Sequence, residues 1–441
     1  MNATPEILSP AGDMEKLKTA LAFGADAVYA GIPKFSLRTR ETGFTADNIA
    51  EAVEYTHRQG KKIYLTLNIF PHNLKVDAFL RELDTVVPLG PDALIMADPG
   101  MIALTRRRYP DMPVHLSTQA NTVNWATAAF WRDLGVRRII LSRELRLEEI
   151  AEMHEKVPDI ELEAFVHGAI CIAYSGRCLI SNYLHFRDAN QGTCTNSCRW
   201  QYKLAYERGS LLDVEREQTT FEYGAPPPEG FYVQESYRPE ERFPLTEDKH
   251  GTYLMNAKDL CAVELIPQLL DSGAVSLKIE GRTKSAYYTA VTARAYRRAL
   301  DDHLAGCPFD PGNLRDLMRL SNRTYTSGFY TRNPRQYGEN FEDGYSAGTG
   351  APVVGVVRDF DPASSLALIE VKNRFASGDR LTLITPERDI PLTVAEIRDT
   401  EGRQKDAAHG GAENVCIPLP EDPGAYAFLR REPGTRAPEA K

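Results

Sequence analysis

The chain has 441 residues, of which 42% are hydrophobic and 26% are charged, and its formal net charge at pH 7 is −9. This composition is ordinary for a soluble globular protein, the length allows one large domain and a smaller one, and the net charge neither demands nor excludes an RNA partner. No apolar run approaches the roughly 20 residues of a membrane span, and the N-terminus has no secretory signal pattern, so we expect a cytoplasmic protein with no membrane partner.

Residues 1–304 alternate short β-rich runs with segments of helical period. Residues 14–23, for example, place apolar side chains three and four positions apart and end at Gly24, which predicts a helix. The candidate strands lie at residues 6–9, 27–30, 63–67, 93–96, 114–117, 138–141, 162–166 and 275–279. Eight such strands with intervening helices predict an α/β fold, a TIM-type (β/α)8 barrel that forms the catalytic domain. No Gly-x-Gly-x-x-Gly turn follows the first strand, which counts against a dinucleotide-binding fold.

The rest of the chain divides into an insertion and a second domain. More than 100 residues separate the seventh and eighth predicted strands, and we place an insertion there at about residues 170–255. Residues 285–304 predict a long helix, and residues 305–350 predict a helical and linker segment with a Gly-rich linker at 344–350. Alternating runs at 353–358, 366–371, 380–384 and 392–397 predict a small all-β barrel domain over 351–430, followed by a flexible tail at 431–441.

Four cysteines lie in the insertion with the spacing C-x6-C-x15-C-x3-C: Cys171, Cys178, Cys194 and Cys198. The chain has seven cysteines, an odd number, so we expect no disulfide framework and thiolates that are free to bind a metal. The spacing matches neither the paired knuckles of zinc sites nor the radical-SAM signature. By itself it leaves an iron–sulfur cluster, a structural zinc or unligated thiols open.

Polar side chains lie at or just after the ends of several predicted strands: Asn68, Gln119, Asn121, Arg143, Glu144, His167, Lys278, Glu280 and Arg282. Barrel enzymes gather their chemistry at the carboxyl ends of their strands, so we expect catalytic and substrate-binding groups among these side chains. For each of them the alternative is a satisfied hydrogen-bond or ion-pair network at the rim of the barrel.

The sequence around the cysteines closely resembles the U32 family, whose members are labelled peptidases and are associated with iron–sulfur hydroxylation chemistry. The resemblance rests on EAFVHGAICIAYSGRC at 163–178 and GTCTNSCRW at 192–200. It extends to residues 8–13, 256–260 and 276–285, and with the β-rich C-terminal region it covers nearly the whole chain.

The resemblance implies a 4Fe-4S cluster held by Cys171, Cys178, Cys194 and Cys198. The length and the second domain agree best with the family members that form 5-hydroxyuridine at the wobble position of tRNA by a prephenate-dependent, oxygen-independent route. The expected partners are therefore prephenate and tRNA, which would bind through its anticodon loop. An electron donor is a possible third partner.

The predicted site residues follow from the chemistry of these ligands. Prephenate is a dicarboxylate, and forked guanidinium groups are natural donors to carboxylates. We expect His167, Glu280 and Arg282 to be catalytic, and Asn68, Gln119, Arg143, Arg177 and Arg199 to bind substrate. His167 could act as an acid or base, or could donate a hydrogen bond near a cluster sulfur.

Other reactions stay open at this point. Family members also hydroxylate a cytidine in ribosomal RNA or a ubiquinone precursor. A peptidase is a different class of hypothesis, and the sequence has no His-Glu-x-x-His zinc site and no Gly-x-Ser-x-Gly elbow. A thiol dyad of His167 and Cys171 would have to form within one short segment, whereas such dyads normally come from separate elements.

Overall fold

The structure is a computed structural model that describes residues 5–37, 43–45, 48–171, 258–331, 351–411 and 414–432. It also describes residues 174, 177, 178, 181, 187 and 194 and the backbone of 232–235, 238–244, 246–248 and 251–253. The predicted linker at 344–350 and most of the predicted tail lie outside these residues. Among the described residues, no helix is long and apolar enough to cross a membrane.

The strands of the first 331 residues are β1 (Glu6–Ala11), β2 (Ala27–Gly31), β3 (Lys62–Leu67), β4 (Ala93–Met96), β5 (Val114–Leu116), β6 (Arg138–Ile140), β7 (Glu161–Ala169), β8 (Tyr232–Glu235), β9 (Arg238–Pro244), β10 (Thr246–Asp248), β11 (Gly251–Tyr253), β12 (Asp259–Cys261), β13 (Ala274–Ile279) and β14 (Tyr325–Thr326). All eight strands predicted for the first domain are confirmed, as β1 to β7 and β13. They are rich in buried apolar residues, as parallel strands covered by helices must be.

The eight predicted strands form a closed parallel barrel. Each strand from β1 to β7 pairs in parallel with the next one. β13 then closes the sheet, because it pairs in parallel with β1, where Leu8 lies opposite Lys278, and with β7, where Phe165 lies opposite Lys278. The predicted TIM-type barrel is therefore confirmed.

The described helices are α1 (Met14–Ala22), α2 (Asn48–Arg58), α3 (Val76–Val86), α4 (Pro99–Arg108), α5 (Trp125–Asp133), α6 (Leu147–Lys156), α7 (Ile266–Asp271), α8 (Ala286–Leu304) and α9 (Pro311–Met318). Short polar side chains cap several of them: Asp13 accepts a hydrogen bond from the Lys16 amide, Asn124 from Thr127 and Ser285 from Tyr288. The predicted helix at 285–304 is confirmed with Ser285 as its N-cap. Gly24 follows α1 with a φ of 100°, a left-handed conformation that favours glycine.

Two further strands extend the barrel sheet: β12, which lies between β7 and β13 in the chain, and β14, which follows α9. β12 pairs antiparallel with β7, so that Cys261 lies opposite His167, and β14 pairs in parallel with β12. α8 and α9 pack against each other and cover this part of the barrel. The segment after α8 is thus joined to the barrel by strand pairing as well as by helix packing.

The C-terminal domain contains only strands: β15 (Val353–Asp361), β16 (Leu366–Val371), β17 (Phe375–Ala376), β18 (Arg380–Ile384), β19 (Asp389–Thr393), β20 (Ile397–Asp399), β21 (Gln404–Lys405), β22 (Ala407–Ala408), β23 (Asn414–Pro418) and β24 (Phe428–Arg431). Its main sheet is antiparallel, in the order β19-β18-β24-β15-β16-β23-β20-β21, around a hydrophobic core of its own. The predicted all-β domain is confirmed.

One predicted strand in this domain is wrong. Residues 392–397 were expected to form a single strand, but β19 ends at Thr393 and β20 begins at Ile397. Val394 instead exchanges backbone hydrogen bonds with the turn at Gly378 and Asp379, and its side chain is buried. The apolar alternation that suggested a strand therefore marks a buried turn.

The two domains share an aromatic contact. The Phe428 ring of β24 packs against Phe23 at the end of α1, with a centroid distance of 6.2 Å, and against Tyr287 of α8, at 5.6 Å. Val356 and Ile384 of the C-terminal domain also belong to the barrel's hydrophobic cluster. This shared apolar surface attaches the second domain to the helices α1 and α8.

Charged side chains, together with two hydroxyl side chains that bind them, fill part of the barrel interior. We call this group the floor network: Glu6, Tyr64, Arg138, Glu163, Ser276 and Lys278. Lys278 Nζ donates to Glu163 Oε1 at 2.7 Å, and Arg138 Nη1 donates to Glu163 Oε2 at 3.2 Å and also pairs with Glu6. Tyr64 Oη donates to Glu6 Oε2 at 3.0 Å, although β1 and β3 are not neighbours, so these groups meet inside the barrel.

The charges of the floor network depend on one another. Burial disfavours the Arg138 cation, but the carboxylates of Glu6 and Glu163 outweigh that effect and raise its pKa. Burial lowers the pKa of Lys278, with the Glu163 carboxylate acting in the opposite direction. Glu163 is fully buried, so its carboxylate relies on Arg138 and Lys278 for compensation.

The floor network predicts a large stability difference between two adjacent arginines. Arg138→Met should lower the free energy of unfolding by about 3–5 kcal/mol, because it leaves buried carboxylates with one cation fewer. Arg137→Met is the matched control: that side chain is 64% exposed and pairs with Glu161 at the surface, so its loss should cost less than about 1 kcal/mol. Urea unfolding followed by circular dichroism measures both, and equal stabilities would contradict the role of the network.

Candidate functional site at the barrel mouth

The carboxyl ends of the barrel strands bring most of the predicted site residues together. We call this group the rim cluster: Asn68, Gln119, Arg143, Glu280 and Arg282. These side chains follow β3, β5, β6 and β13. Contacts through Leu37 and Ser117 connect Arg282, Asn68 and Gln119, and Arg143 pairs with Glu280. The sequence prediction that strand-end polar groups would converge agrees with this placement.

Three neutral oxygens orient the guanidinium of Arg282. Its Nη1 donates to Ser36 Oγ at 2.7 Å and to Thr66 Oγ1 at 3.0 Å, and its Nη2 donates to the Leu37 carbonyl at 2.6 Å. All three acceptors are uncharged, and together they fix the direction of the group. Gly31 permits the close approach, since a Cβ atom there would lie 2.5 Å from Arg282 Nη1.

A line of amides and hydroxyls continues from Arg282 along the rim. Asn68 accepts from the Leu37 amide at 3.0 Å and donates to Ser117 Oγ at 3.4 Å, and Ser117 donates to Gln119 Oε1 at 3.3 Å. Gln119 is only 1% exposed, and its Nε2 has no hydrogen-bond partner in the described structure. A buried donor of this kind is costly to leave unpaired, so it is a natural contact for a ligand oxygen.

Aromatic rings lie between the rim cluster and the floor network. Arg143 stacks on Phe165, 3.6 Å from the guanidinium carbon to the ring centroid, and its Nη2 lies 3.7 Å from Glu280 Oε2. Tyr29 donates to the Ile279 carbonyl at 3.0 Å, and the Lys278 ammonium below it lies 4.3 Å from the centre of its ring. The described part of the mouth thus combines forked cations, the Glu280 carboxylate and apolar ring faces.

The sequence prediction missed the charged floor and the residues that orient Arg282. A signal for the floor was present, because Arg138, Glu163 and Lys278 are charged residues inside otherwise apolar strand sequences. Charged groups at such positions are almost never buried unless they are paired. Ser36 and Thr66 carry no such signal, since hydroxyl residues are common in both strands and loops.

His167 lies apart from the rim cluster. Its Nδ1 is 3.3 Å from Tyr296 Oη and its Nε2 is 3.4 Å from Tyr325 Oη, and the Tyr288 ring is also close, with a centroid distance of 5.8 Å. The cause is a bulge between β7 and β13: Lys278 lies opposite Phe165, but the next pair is Ile279 with His167. This skipped residue reverses the alternation of side chains and turns His167 toward α8 instead of the barrel interior.

Burial sets the protonation state of His167. The side chain is 1% exposed, and burial lowers its pKa to about 3, with Asp259 acting weakly in the other direction. At neutral pH the imidazole is therefore uncharged, and the hydroxyls of Tyr296 and Tyr325 are its hydrogen-bonding neighbours.

The predicted cysteine ligands are described only in part. Cys171 is exposed and lies two residues after β7, Cys178 is partly buried and Cys194 is exposed. None of the three forms a disulfide with another described cysteine. Cys198 and Arg199 lie outside the described residues. Among the residues that are described, no group of three or more His, Cys, Asp and Glu side chains is close enough to hold a metal ion.

Arg177 connects the cysteine segment with the mouth. Its Nε donates to the backbone carbonyl of Gln119 at 3.4 Å, and Arg177 directly precedes Cys178. Arg177 therefore lies beside the rim cluster. Taken together, the mouth presents several directed N–H donors, which is the arrangement that binds carboxylate or phosphate oxygens.

Family comparisons cover both domains. The model for peptidase family U32 matches residues 12–340, and the model for the C-terminal domain of peptidase family U32 matches residues 351–430. The break between the two matches falls between β14 and β15.

Curated relatives match over nearly the full length. The chain is 47% identical to tRNA hydroxylation protein P of Escherichia coli K12, covering 99% of each chain. It is 45% identical to tRNA hydroxylation protein P of Haemophilus influenzae, covering 97% of this chain and 96% of that one. It is also 34% identical to the 23S rRNA 5-hydroxycytidine C2501 synthase of E. coli K12, over 67% of this chain and 39% of that protein.

The burial of His167 predicts a pH dependence of stability. Its pKa is about 3 when folded and 6.5 when unfolded, so the unfolded state binds the extra proton between these values. Stability from this group is complete above pH 6.5 and is lost as the pH falls toward 3, with a slope of up to about 1.4 kcal/mol per pH unit. His167→Gln should remove this one-proton contribution from the slope of the unfolding free energy against pH. Urea unfolding between pH 4 and pH 7 measures the slope.

The matched control is His409→Gln, which replaces an exposed histidine of the C-terminal domain. It should leave the slope unchanged. Burial also lowers the pKa of His115, but that histidine is present in both variants and cancels in the comparison. An unchanged slope in His167→Gln would show that the folded imidazole takes up its proton as readily as the unfolded one.

Proposed function

Because the chain belongs to peptidase family U32, and because its near-full-length relatives are tRNA hydroxylation proteins, we propose that it hydroxylates tRNA. The proposed reaction is the oxygen-independent hydroxylation of C5 of the wobble uridine, which gives 5-hydroxyuridine, with prephenate as co-substrate. The observation that carries the proposal is the similarity to these relatives across both domains.

The barrel mouth is a suitable place for this reaction. A base of the anticodon loop can be turned out of its stack and recognised by hydrogen bonds and aromatic contacts in a pocket. The rim cluster offers donors of this kind in Asn68, Gln119 and Arg143, and Phe165 and Tyr29 offer ring faces. Glu280 is the carboxylate of the rim cluster, and we assign it a catalytic role beside the bound base.

The arginines of the mouth support a dicarboxylate co-substrate. Arg282 is directed by neutral oxygens, and Arg143 is held flat against Phe165, so both guanidinium groups are oriented in advance. Preorganised forks lose little entropy when they bind a carboxylate. Arg177 lies beside them at Gln119, whereas the proposed contribution of Arg199 lies outside the described residues.

The proposed 4Fe-4S cluster would be held by Cys171, Cys178, Cys194 and Cys198. The chemistry of this donor set fits, because iron–sulfur clusters prefer thiolates and none of the three described thiols is in a disulfide with another described cysteine. When bound, such a cluster supplies one-electron redox chemistry. Gathering of the four thiols around one centre is part of the proposal, since the described residues do not contain a complete ligand group.

We assign His167 a supporting role in this proposal. It directly precedes the cysteine segment, and it is uncharged and held among tyrosines. The same contacts weigh against a thiol peptidase, because both ring nitrogens face tyrosine hydroxyls.

A second candidate is hydroxylation of a ribosomal RNA cytidine. The similarity to the 23S rRNA 5-hydroxycytidine synthase favours it, although that protein is much longer than this chain. Hydroxylation of a ubiquinone precursor is a third reaction of the same type.

Nucleoside analysis of a deletion strain tests the proposed reaction. Without oxygen, tRNA from the strain should lose 5-hydroxyuridine and its derivatives, and a plasmid with the wild-type gene should restore them. Arg282→Ala should fail to restore them unless prephenate is raised, because an oriented carboxylate donor is missing. Lys62→Ala is the control and should restore them fully, since Lys62 is exposed at the start of β3, at the opposite end of the barrel from the mouth.

Each alternative reaction predicts another result of the same analysis. Unchanged tRNA with loss of 5-hydroxycytidine from 23S rRNA would replace the tRNA proposal with the ribosomal one. Unchanged RNA with altered quinones would favour the third reaction.

Iron content tests the cluster separately from activity. Protein purified without oxygen should contain about four irons per chain and be brown. Cys194→Ser should lose most of this iron, whereas Cys307→Ser, which removes an exposed thiol after α8, should keep it. A colourless wild-type protein with a stoichiometric zinc ion would rule the cluster out.

A further inference from the structure

A cleft of about 520 Å³ separates the barrel from the C-terminal domain. One wall comes from the segment that leads from β13 into α8, with Lys284, Ser285 and Tyr287, and from Arg319 after α9. The other wall comes from the start of the C-terminal domain, with Val353 and Asn373. The cleft is therefore formed by both domains and is distinct from the barrel mouth.

The lining of this cleft is basic. Lys284 and Arg319 are cationic, and none of the described lining residues carries a carboxylate. Arg319 is braced from behind by Asp316, at 3.1 Å, and Lys284 lies 5.5 Å from the centre of the Tyr288 ring. In a chain with a net charge of −9, a cleft whose described lining has two cations and no carboxylate is a local exception that suits an anion.

Two further features favour a phosphate oxygen as the anion. The N-terminus of α8, a 19-residue helix, opens at the cleft beside its N-cap Ser285, and helix N-termini favour negative charge. Tyr287 also lines the cleft, and its buried hydroxyl has no hydrogen-bond partner among the described residues. Arg430 is near enough to act on the pKa of Tyr287, but no hydrogen bond of good geometry joins the two groups.

A buried ion-pair group holds the two walls in place. Arg294 of α8, 3% exposed, donates to the Thr385 carbonyl at 2.7 Å and pairs with Asp389 at 2.7 Å. Arg430 of β24, 1% exposed, lies 3.7 Å from Asp389 and 4.0 Å from Asp316. Because these contacts join α8 and α9 to β19 and β24, the spacing of the walls is set before any ligand binds.

The cleft lies next to the mouth along the chain. Lys284 follows Arg282 by two residues, so their Cα atoms are at most about 7 Å apart. A nucleotide chain with one base in the mouth would pass the cleft with a neighbouring part of its backbone. In this arrangement the side chains of the mouth recognise the base, and different side chains, those of the cleft, bind the backbone.

We propose that the cleft between the barrel and the C-terminal domain binds a backbone phosphate of the RNA substrate, with Lys284 as its main cation. This proposal rests on the proposed tRNA function and adds a second point of contact on the same substrate. It makes the C-terminal domain one wall of the RNA-binding surface.

Binding of a fluorescein-labelled tRNA transcript to the full chain, measured by anisotropy over a range of salt concentrations, tests the proposal. Lys284→Gln should weaken binding by about tenfold at low salt, as expected for one charged hydrogen bond. It should also reduce the slope of log K against log salt by about 0.7–0.9, the value of one lost phosphate contact. Lys284→Glu should weaken binding further, because it adds repulsion.

Lys62→Gln, which removes a cation at the far end of the barrel, should change neither the affinity nor the slope. Thermal unfolding midpoints of all variants should agree, since Lys284 is partly exposed. If the wild type binds tRNA and Lys284→Gln binds with equal affinity and slope, the cleft proposal is overturned and the proposed function stands. If the wild type binds no tRNA, both are overturned.

Discussion

The return of β13 to pair with both β1 and β7 is the constraint on which the rest of the structure depends. Without it the parallel strands would form an open sheet, with no enclosed interior and no single mouth. Closure places the carboxyl ends of all eight strands around one opening. Because β13 is parallel to β7, the long segment between them leaves the barrel at this opening and returns to the opposite end, where β13 begins. Closure also encloses charged residues, so that Glu163 must find its counter-charges on other strands, in Arg138 and Lys278.

The positively charged guanidinium groups at the mouth are held in fixed orientations. Arg282 is directed by Ser36, Thr66 and the Leu37 carbonyl, and Arg143 is directed by the face of Phe165. Because these partners hold the guanidinium groups in place, little reorganisation is needed when an anion binds. The walls of the neighbouring cleft are also held in place before a ligand binds, because buried ion pairs of Arg294 and Arg430 set the distance between them. Both features suit an extended, anionic substrate that touches the protein at more than one point.

A single irregularity in the barrel decides what His167 can do. With regular pairing, residues 163, 165 and 167 would all face the barrel interior, and His167 would join the rim cluster. The skipped residue between Phe165 and His167 places the imidazole among tyrosines instead, where burial keeps it neutral. Bulges next to functional sites commonly re-aim one side chain in this way. His167 therefore lies next to the cysteine segment because the two are adjacent in the chain. The groups that surround its side chain are determined by packing.

The sequence by itself determined the order of the elements, because the two- and three-to-four-residue periods of apolar side chains are local properties. It also determined that Asn68, Gln119, Arg143, Glu280 and Arg282 would follow strand ends, and hence would meet if the sheet closed. The family of the chain was likewise readable from the residues around Cys171 and Cys178. Only the tertiary structure decided that Arg282 is held by Ser36 and Thr66, that Glu163 lies between Arg138 and Lys278, and that His167 faces α8. These outcomes depend on barrel register and on contacts between residues more than 100 positions apart, for which a local pattern carries no information.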